Sequence, residues 1–181
     1  LKTLLISGSP RKNGESAYLL KELEGKLKGE IIRYDAYKSG IKGCVDCRYC
    51  WTHDRCAFPD FKELDDIIRE VDNIVIASPI YFSEVTGRLL DFLSKCQVYW
   101  SNKYIRKSPI EMTEKKGALI LAYAGHCEEE KPYSTMKTLM NMMGVKEYFP
   151  LITTPDTDYV PASEDKEALK KIEELAEFLN R

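Results

Sequence analysis

Charge imbalance is almost absent from this chain: 27 Lys and Arg face 29 Asp and Glu over 181 residues. A net charge of −2 leaves no basic excess to grip nucleic acid, and like charges never run beyond a few positions. Long apolar runs are missing too. The longest, from Ile74 to Phe82, is broken by Ser78 and Pro79. It falls far short of the roughly 20 residues that a membrane span requires. The opening Leu1-Lys2-Thr3-Leu4-Leu5-Ile6-Ser7 runs straight into a strand pattern and does not read as a signal peptide. No internal repeat, low-complexity tract or linker occurs. A hydrophobic fraction of 44% with 31% charged residues excludes disorder, collagen-like repetition and coiled coil. The expectation is one soluble, cytoplasmic domain spanning residues 1–181, with no nucleic-acid or membrane partner and enough chain to bury a full core.

Histidine is scarce, with two residues, whereas cysteine is concentrated. Of six cysteines, four lie within thirteen positions as Cys44-x2-Cys47-x2-Cys50-x5-Cys56. A secreted disulfide scaffold spreads its cysteines through a small protein lacking a core. Clustering in a well-endowed chain points instead to metal, cluster or redox chemistry. Three thiolates at this spacing can wrap one corner of a cube, and a fourth slightly later can close it, which is the ligation logic of a [4Fe–4S] cluster. Zinc commonly pairs two separated Cys-x2-Cys hooks. Free thiols are the third alternative, and no proline follows the last cysteine as it does in ferredoxins. Cys44, Cys47, Cys50 and Cys56 are taken as candidate metal ligands. The segment around them offers few apolar anchors: Val45, Trp51, Ala57 and Phe58, with Tyr49. Ordering a loop costs about 1–2 kcal/mol per residue. A further tie is therefore expected, either a bound cluster or a subunit interface.

Hydrophobic periodicity alternates along the chain. Short apolar runs near 3–7, 73–78 and 117–123 read as central strands buried on both faces. Glu30 to Asp35 is mixed and suits an edge. So does Val145 to Thr153, which contains Pro150. Between them, Leu20, Leu23 and Leu27 share a helical face. So do Phe61, Leu64, Ile68 and Val71, then Val85, Leu89, Leu93 and Cys96, then Met136, Leu139, Met140 and Met143. A last helix carries Leu169, Ile172, Leu175, Ala176 and Leu179, with Ser163 as its expected N-cap. The order βαβαβαβαβα implies an α/β fold with a parallel sheet. Two edge strands and three central ones give the order 2-1-3-4-5, the flavodoxin-like three-layer arrangement. Residues 36–60 form a long cysteine-rich insertion, and 99–116 reads as a second irregular stretch.

Three strand-to-helix loops fall on one side of this sheet, where ligands bind. Gly8 to Ser16 follows the first strand, and Ser9, Arg11, Asn13 and Ser16 supply hydroxyls, a cation and an amide for a phosphate at a helix start. The Walker spacing and the dinucleotide fingerprint are both absent. The alternative is a polar loop that only turns and caps. After the third strand, Pro79-Ile80-Tyr81-Phe82 suits a flat apolar ring, with a buried or subunit-facing loop as the alternative. After the fourth, Tyr123-Ala124-Gly125-His126-Cys127 completes the set, with His126 read as a surface residue and a ligand contact as the alternative. Cys96 and Cys127 read as small hydrophobes, although Cys127 could also serve as a redox thiol.

Taken together, Gly-Ser-Pro-Arg-Lys-Asn-Gly, Ser-Pro-Ile-Tyr-Phe and the four-cysteine segment between them resemble the NADPH-dependent FMN reductase family, and within it the iron–sulfur flavoprotein and multimeric-flavodoxin-like branch. The resemblance implies a flavodoxin-like fold with noncovalent FMN. It places the phosphate on Ser9, Arg11, Asn13, Gly14 and Ser16, and the ring against Pro79, Ile80, Tyr81 and Phe82; from their loop position, Tyr123 and Gly125 are taken as further cofactor-binding residues. It also implies a homodimer or homotetramer. The implied activity is electron transfer from NAD(P)H to a quinone, flavin or protein acceptor. An electron carrier linking ferredoxin to FMN through a [4Fe–4S] cluster is the alternative. The flavin carries the chemistry, so no catalytic side chain is named. Where the family often has Asp-Arg after the third helix, this chain has Ser94-Lys95-Cys96.

Overall fold

A computed structural model describes residues 1–181. The chain runs β1 (Lys2–Ser7), α1 (Glu15–Glu24), β2 (Glu30–Asp35), α2 (Lys62–Glu70), β3 (Asn73–Tyr81), β4 (Glu84–Val85), α3 (Gly87–Leu93), α4 (Gln97–Tyr104), β5 (Lys115–Ala122), α5 (Glu130–Met142), β6 (Val145–Tyr148), β7 (Ile152–Thr154) and α6 (Lys166–Leu179). The sheet path is β2-β1-β3-β5-β6, with β7 also on β5 and every pair parallel except the β3–β4 hairpin. The five strand positions fall in the expected spatial order, but seven strands fill the sheet. Pro150 lacks the N–H a ladder needs, so the fifth position divides into β6 and β7 around Phe149–Leu151. The extra strand, β4, folds back on the end of β3.

Successive side chains of the central strands point to opposite faces, and both faces are covered. Leu4, Ile6, Ile74, Ile76, Leu119 and Leu121 pack against α2, α3 and α5. Leu5, Val75, Ala77, Ala118, Ile120 and Ile152 pack against α1 and α6. No helix is long and apolar enough to cross a membrane.

Three local expectations are corrected. Val85 lies in β4, because Thr86 caps the following helix by accepting the Leu89 N–H at 3.3 Å. The last helix is capped by Asp165, whose Oδ1 accepts the Ala168 N–H at 2.9 Å, and not by Ser163. Part of the stretch 99–116 is helical: Tyr99, Trp100 and Tyr104 lie on α4. Its aromatic and polar residues carry a weak helical pattern, which burial of Val98, Tyr99, Ser101 and Asn102 overrides.

The cysteine-rich segment is fastened by polar contacts instead of the apolar residues counted for it. Val45, Tyr49, Trp51 and Phe58 remain exposed, whereas Ile41 and Phe61 at its ends are buried. Asp65, whose side chain is 1% exposed, accepts from Arg55 at 2.7 Å, from Arg69 at 3.0 and 3.1 Å, and from the Tyr99 hydroxyl at 2.8 Å. Arg69 also donates to the Asp54 carbonyl at 2.8 Å. One buried carboxylate thus joins the segment to α2 and α4. Removing one partner of such a group costs about 3–5 kcal/mol. Arg69→Met is accordingly expected to lower unfolding stability by about 3 kcal/mol in urea titration. It should also speed proteolysis within residues 44–56 ahead of the rest of the chain.

Candidate functional site

The C-terminal ends of β1, β3, β5 and β7 open onto one cleft of about 280 Å³. Chain reversal between β1 and β3 places it at the switch point of the sheet. Ser9, Arg11, Gly14 and Ser16 form one wall, Pro79, Ile80 and Tyr81 a second, and Tyr123 with Ala124 a third. Thr157 and Asp158, beyond β7, close the set.

The first wall has donors of the kind an anion needs. Ser9 Oγ donates to the Arg11 carbonyl at 3.0 Å and accepts the Arg11 N–H at 3.2 Å, which curls the loop. Gly14 precedes α1 in extended backbone, with no side chain capping the helix. The first N–H groups of α1 therefore point out unclaimed, at the positive end of the helix dipole. Ser16 is buried beside them. A Cβ at Gly14 would lie 3.0 Å from Ser9 Oγ and 3.2 Å from Arg11 Cβ, crowding the curl. Glu15 lies in the same wall, but its carboxylate is taken up by the Ala162 N–H at 2.6 Å.

The other walls are held from behind. Thr86 donates its hydroxyl to the Gly8 carbonyl at 2.8 Å and its N–H to Ser78 Oγ at 3.3 Å, which locks the first loop to β3. Glu84 accepts from Thr135 at 2.9 Å and fixes the β3–β4 hairpin on α5. Tyr123 donates its N–H to the Thr154 carbonyl at 3.1 Å and accepts from the Thr157 N–H at 3.2 Å. Its phenol donates to Glu129. Burial first, and then the Glu129 carboxylate, raises that phenol well above its ordinary pKa, so it stays protonated.

Of the residues proposed from sequence, Ser9, Arg11, Gly14, Ser16, Pro79, Ile80, Tyr81 and Tyr123 line the cleft, and Asn13, Phe82 and Gly125 do not. Asn13 faces a neighbouring polar groove between α1 and β2, alongside Lys12 and Lys21. Phe82 and Ser83 form the two-residue turn of the β3–β4 hairpin with φ of 51° and 59°. Both central residues of such a turn need positive φ, and this turn carries Phe82 off the body of the domain, where it is fully exposed. His126 is exposed, in keeping with a surface role. Cys96 is buried, and its thiol is pushed up to about 12 by burial and then by Asp65. Thr157 and Asp158 were not legible from sequence. They reach the cleft only because β7 lies beside β5.

A second site gathers all four clustered cysteines. Cys44, Cys47, Cys50 and Cys56 line one pocket of about 20 Å³ with Phe58, Lys95 and Val98. Asp46 and Arg48 adopt left-handed backbone, with φ of 50° and 58°. Such residues cost free energy and persist where surrounding contacts impose them. Here they lie within the turn that carries Cys44, Cys47 and Cys50 along the same pocket as Cys56. A Cβ at Gly43 would fall 1.9 Å from Asp91 Oδ1, so that carboxylate would have to swing aside. The Cys44 N–H donates to Ser94 Oγ at 2.8 Å, and Cys50 Sγ lies 3.3 Å from Ser101 Oγ. Ser94 thus holds the start of the cysteine segment. No three His, Cys, Asp or Glu side chains converge on a point that could hold a single metal ion.

Comparison with known proteins agrees with this architecture. A family model described as NADPH-dependent FMN reductase matches residues 1–152. An iron–sulfur flavoprotein of Archaeoglobus fulgidus is 27% identical over 180 residues, 97% of this chain and 77% of that protein. An iron–sulfur flavoprotein of Clostridioides difficile is 31% identical over 121 residues, 63% of this chain and 54% of that protein. The match therefore spans about three quarters of the first relative and about half of the second. Among solved structures, an NAD(P)H:quinone oxidoreductase from Methanothermobacter marburgensis superposes with a TM-score of 0.75 at 16% identity, covering 99% of this chain and 96% of that one. An FMN-dependent NADH-azoreductase from Bacillus anthracis, in complex with FMN, gives 0.71 at 16% identity, covering 99% of both chains. At such identities the likeness shows the fold.

The first wall yields a direct test. Hydrogen bonds to a charged group contribute about 1.5–3 kcal/mol each. The double variant Arg11→Ala, Ser16→Ala is expected to weaken FMN at least tenfold in fluorescence titration. Asn13→Ala, which lies outside the cleft, should change it less than threefold.

Proposed function

The chain belongs to the NADPH-dependent FMN reductase family and is by that membership an FMN-containing oxidoreductase; on that premise we propose that it takes electrons from NAD(P)H and passes them to a quinone, a flavin or a protein acceptor. The observation carrying this reading is the convergence of the Ser9–Ser16 wall, the Pro79–Tyr81 wall and Tyr123 on one cleft. Arg11, the Ser9 and Ser16 hydroxyls and the open N–H groups of α1 suit a phosphate dianion. Pro79, Ile80 and Tyr81 offer an apolar wall for a flat ring, and Tyr123 is held in place by Glu129 with its proton committed. FMN bound there supplies hydride acceptance from the nicotinamide and release of electrons one or two at a time. The protein binds, orients and shields.

We also propose that Cys44, Cys47, Cys50 and Cys56 hold a [4Fe–4S] cluster. Zinc sites commonly pair two separated Cys-x2-Cys hooks, whereas these four cysteines form one compact run. In a cubane each thiolate binds its own iron, so thiols spaced around a shared pocket suit it. Such a cluster supplies one-electron transfer. This pocket is the specific observation favouring the second reading, an electron carrier between ferredoxin and FMN that does not oxidise NAD(P)H.

Anaerobic spectroscopy separates the two. On the first reading, NADPH or NADH bleaches the flavin band near 450 nm within seconds. If neither does while dithionite still bleaches it, the carrier reading replaces the reductase. Iron and sulfide at about four each per chain are expected alongside, and metal-free protein after anaerobic reconstitution would remove the cluster.

A homodimer or homotetramer is the remaining part of the proposal. In the β3–β4 hairpin beside the cleft, Phe82 is fully exposed and Tyr81 half-exposed. Exposed aromatics of this kind are enriched at interfaces. Light scattering of the FMN-loaded protein at micromolar concentration is expected to give at least twice 20.8 kDa. A monomer mass would refute the oligomer.

A further inference from the structure

Lysine is almost never fully buried unless paired, yet the Lys95 side chain is 2% exposed. It ends in the wall of the cysteine pocket. Its ammonium group has three neighbours: Cys56 Sγ at 3.7 Å, Asp60 Oδ1 at 3.4 Å, and the face of Phe58 with its centroid at 4.4 Å. The other charged residues lining the pocket, Asp46 and Arg48, pair with each other at 3.6 Å and are largely solvated, so water screens them. Lys95 is the buried charge of this site. Taking an ammonium out of water is costly even beside a carboxylate, and an apolar side chain of similar size would avoid that cost. What an apolar residue cannot do is set a positive charge and an N–H donor against a ligand sulfur.

Cluster potentials respond to net charge, hydrogen bonds to the sulfurs and exposure. We propose that Lys95 is a positioning residue that raises the reduction potential of the cluster held by the four cysteines, with Asp60 as its counterweight. This rests on the reading of the pocket as a [4Fe–4S] site. Reduction adds one electron from an external donor, making the cluster more negative by one charge. No bond is made or broken at Lys95, which keeps its protons. A nearby cation favours the more negative state. Asp60 is itself fixed by the Lys42 N–H at 2.9 Å and offsets part of that effect.

The test uses protein reconstituted anaerobically with ferrous iron and sulfide, assayed for both, then titrated with dithionite under electron paramagnetic resonance. Lys95→Met is expected to make the one-electron equilibrium at least tenfold less favourable, a negative shift of about 59 mV or more. Asp60→Asn is expected to shift the potential in the positive direction, and Lys95→Arg to stay near the parent. Both Lys95→Met and Asp60→Asn break the same ion pair, so a merely structural contact would move the potential the same way in each or leave it alone. Either of those results in iron-loaded protein overturns the role of Lys95 and leaves the cluster standing. Parent protein that takes up no iron overturns the cluster and this proposal with it. Should Lys95→Met fail to load iron, Asp60→Asn decides: a positive shift supports the proposal, and a zero or negative one overturns it.

Discussion

A parallel sheet with central strands apolar on both faces is stable only when helices cover each side. That constraint organises this molecule. Because α1 and α6 must return along one face and α2, α3 and α5 along the other, every strand-to-helix loop leaves from the same edge. Ser9, Tyr81 and Tyr123 are far apart in sequence, yet they meet because β1, β3 and β5 are neighbours in parallel register. The cleft is a consequence of how the core is covered, and the loops then supply its chemistry.

The cysteine segment follows a different logic. It adds little to the core, since full burial is confined to its flanks at Ala36, Ile41 and Phe61. Its order derives from charge taken out of water, above all at Asp65, which three donors satisfy at once. Buried ionic groups of this kind contribute modest net stability but penalise every alternative arrangement that leaves one unpaired. The four thiols are thereby brought around one pocket by contacts made elsewhere. Lys95 is the point where this fastening meets the pocket itself, because the same ammonium reaches Asp60 and Cys56.

Much of this was legible in the residues. Strand and helix positions followed from periodicity, and the strand order from which runs were apolar throughout and which contained Pro150. Eight of the eleven residues assigned to the flavin line the cleft. Phe82 lies outside it because nothing local announces a turn with positive φ at two non-glycine positions. Asn13 lies outside it because the curled loop presents it to a neighbouring groove. Thr157 and Asp158 carry no local signal, and their place depends on pairing between β7 and β5.

The layers, the three loops and the compact cysteine spacing are properties of short-range pattern: apolar period, turn residues and the reach of a few peptide units. Long-range packing sets which side chains share a cavity, brings Arg55 and Arg69 together on Asp65, and buries Lys95 against Cys56. Those contacts join residues up to dozens of positions apart. They arise when a charge excluded from water must find a partner among whatever the packed fold has brought within reach.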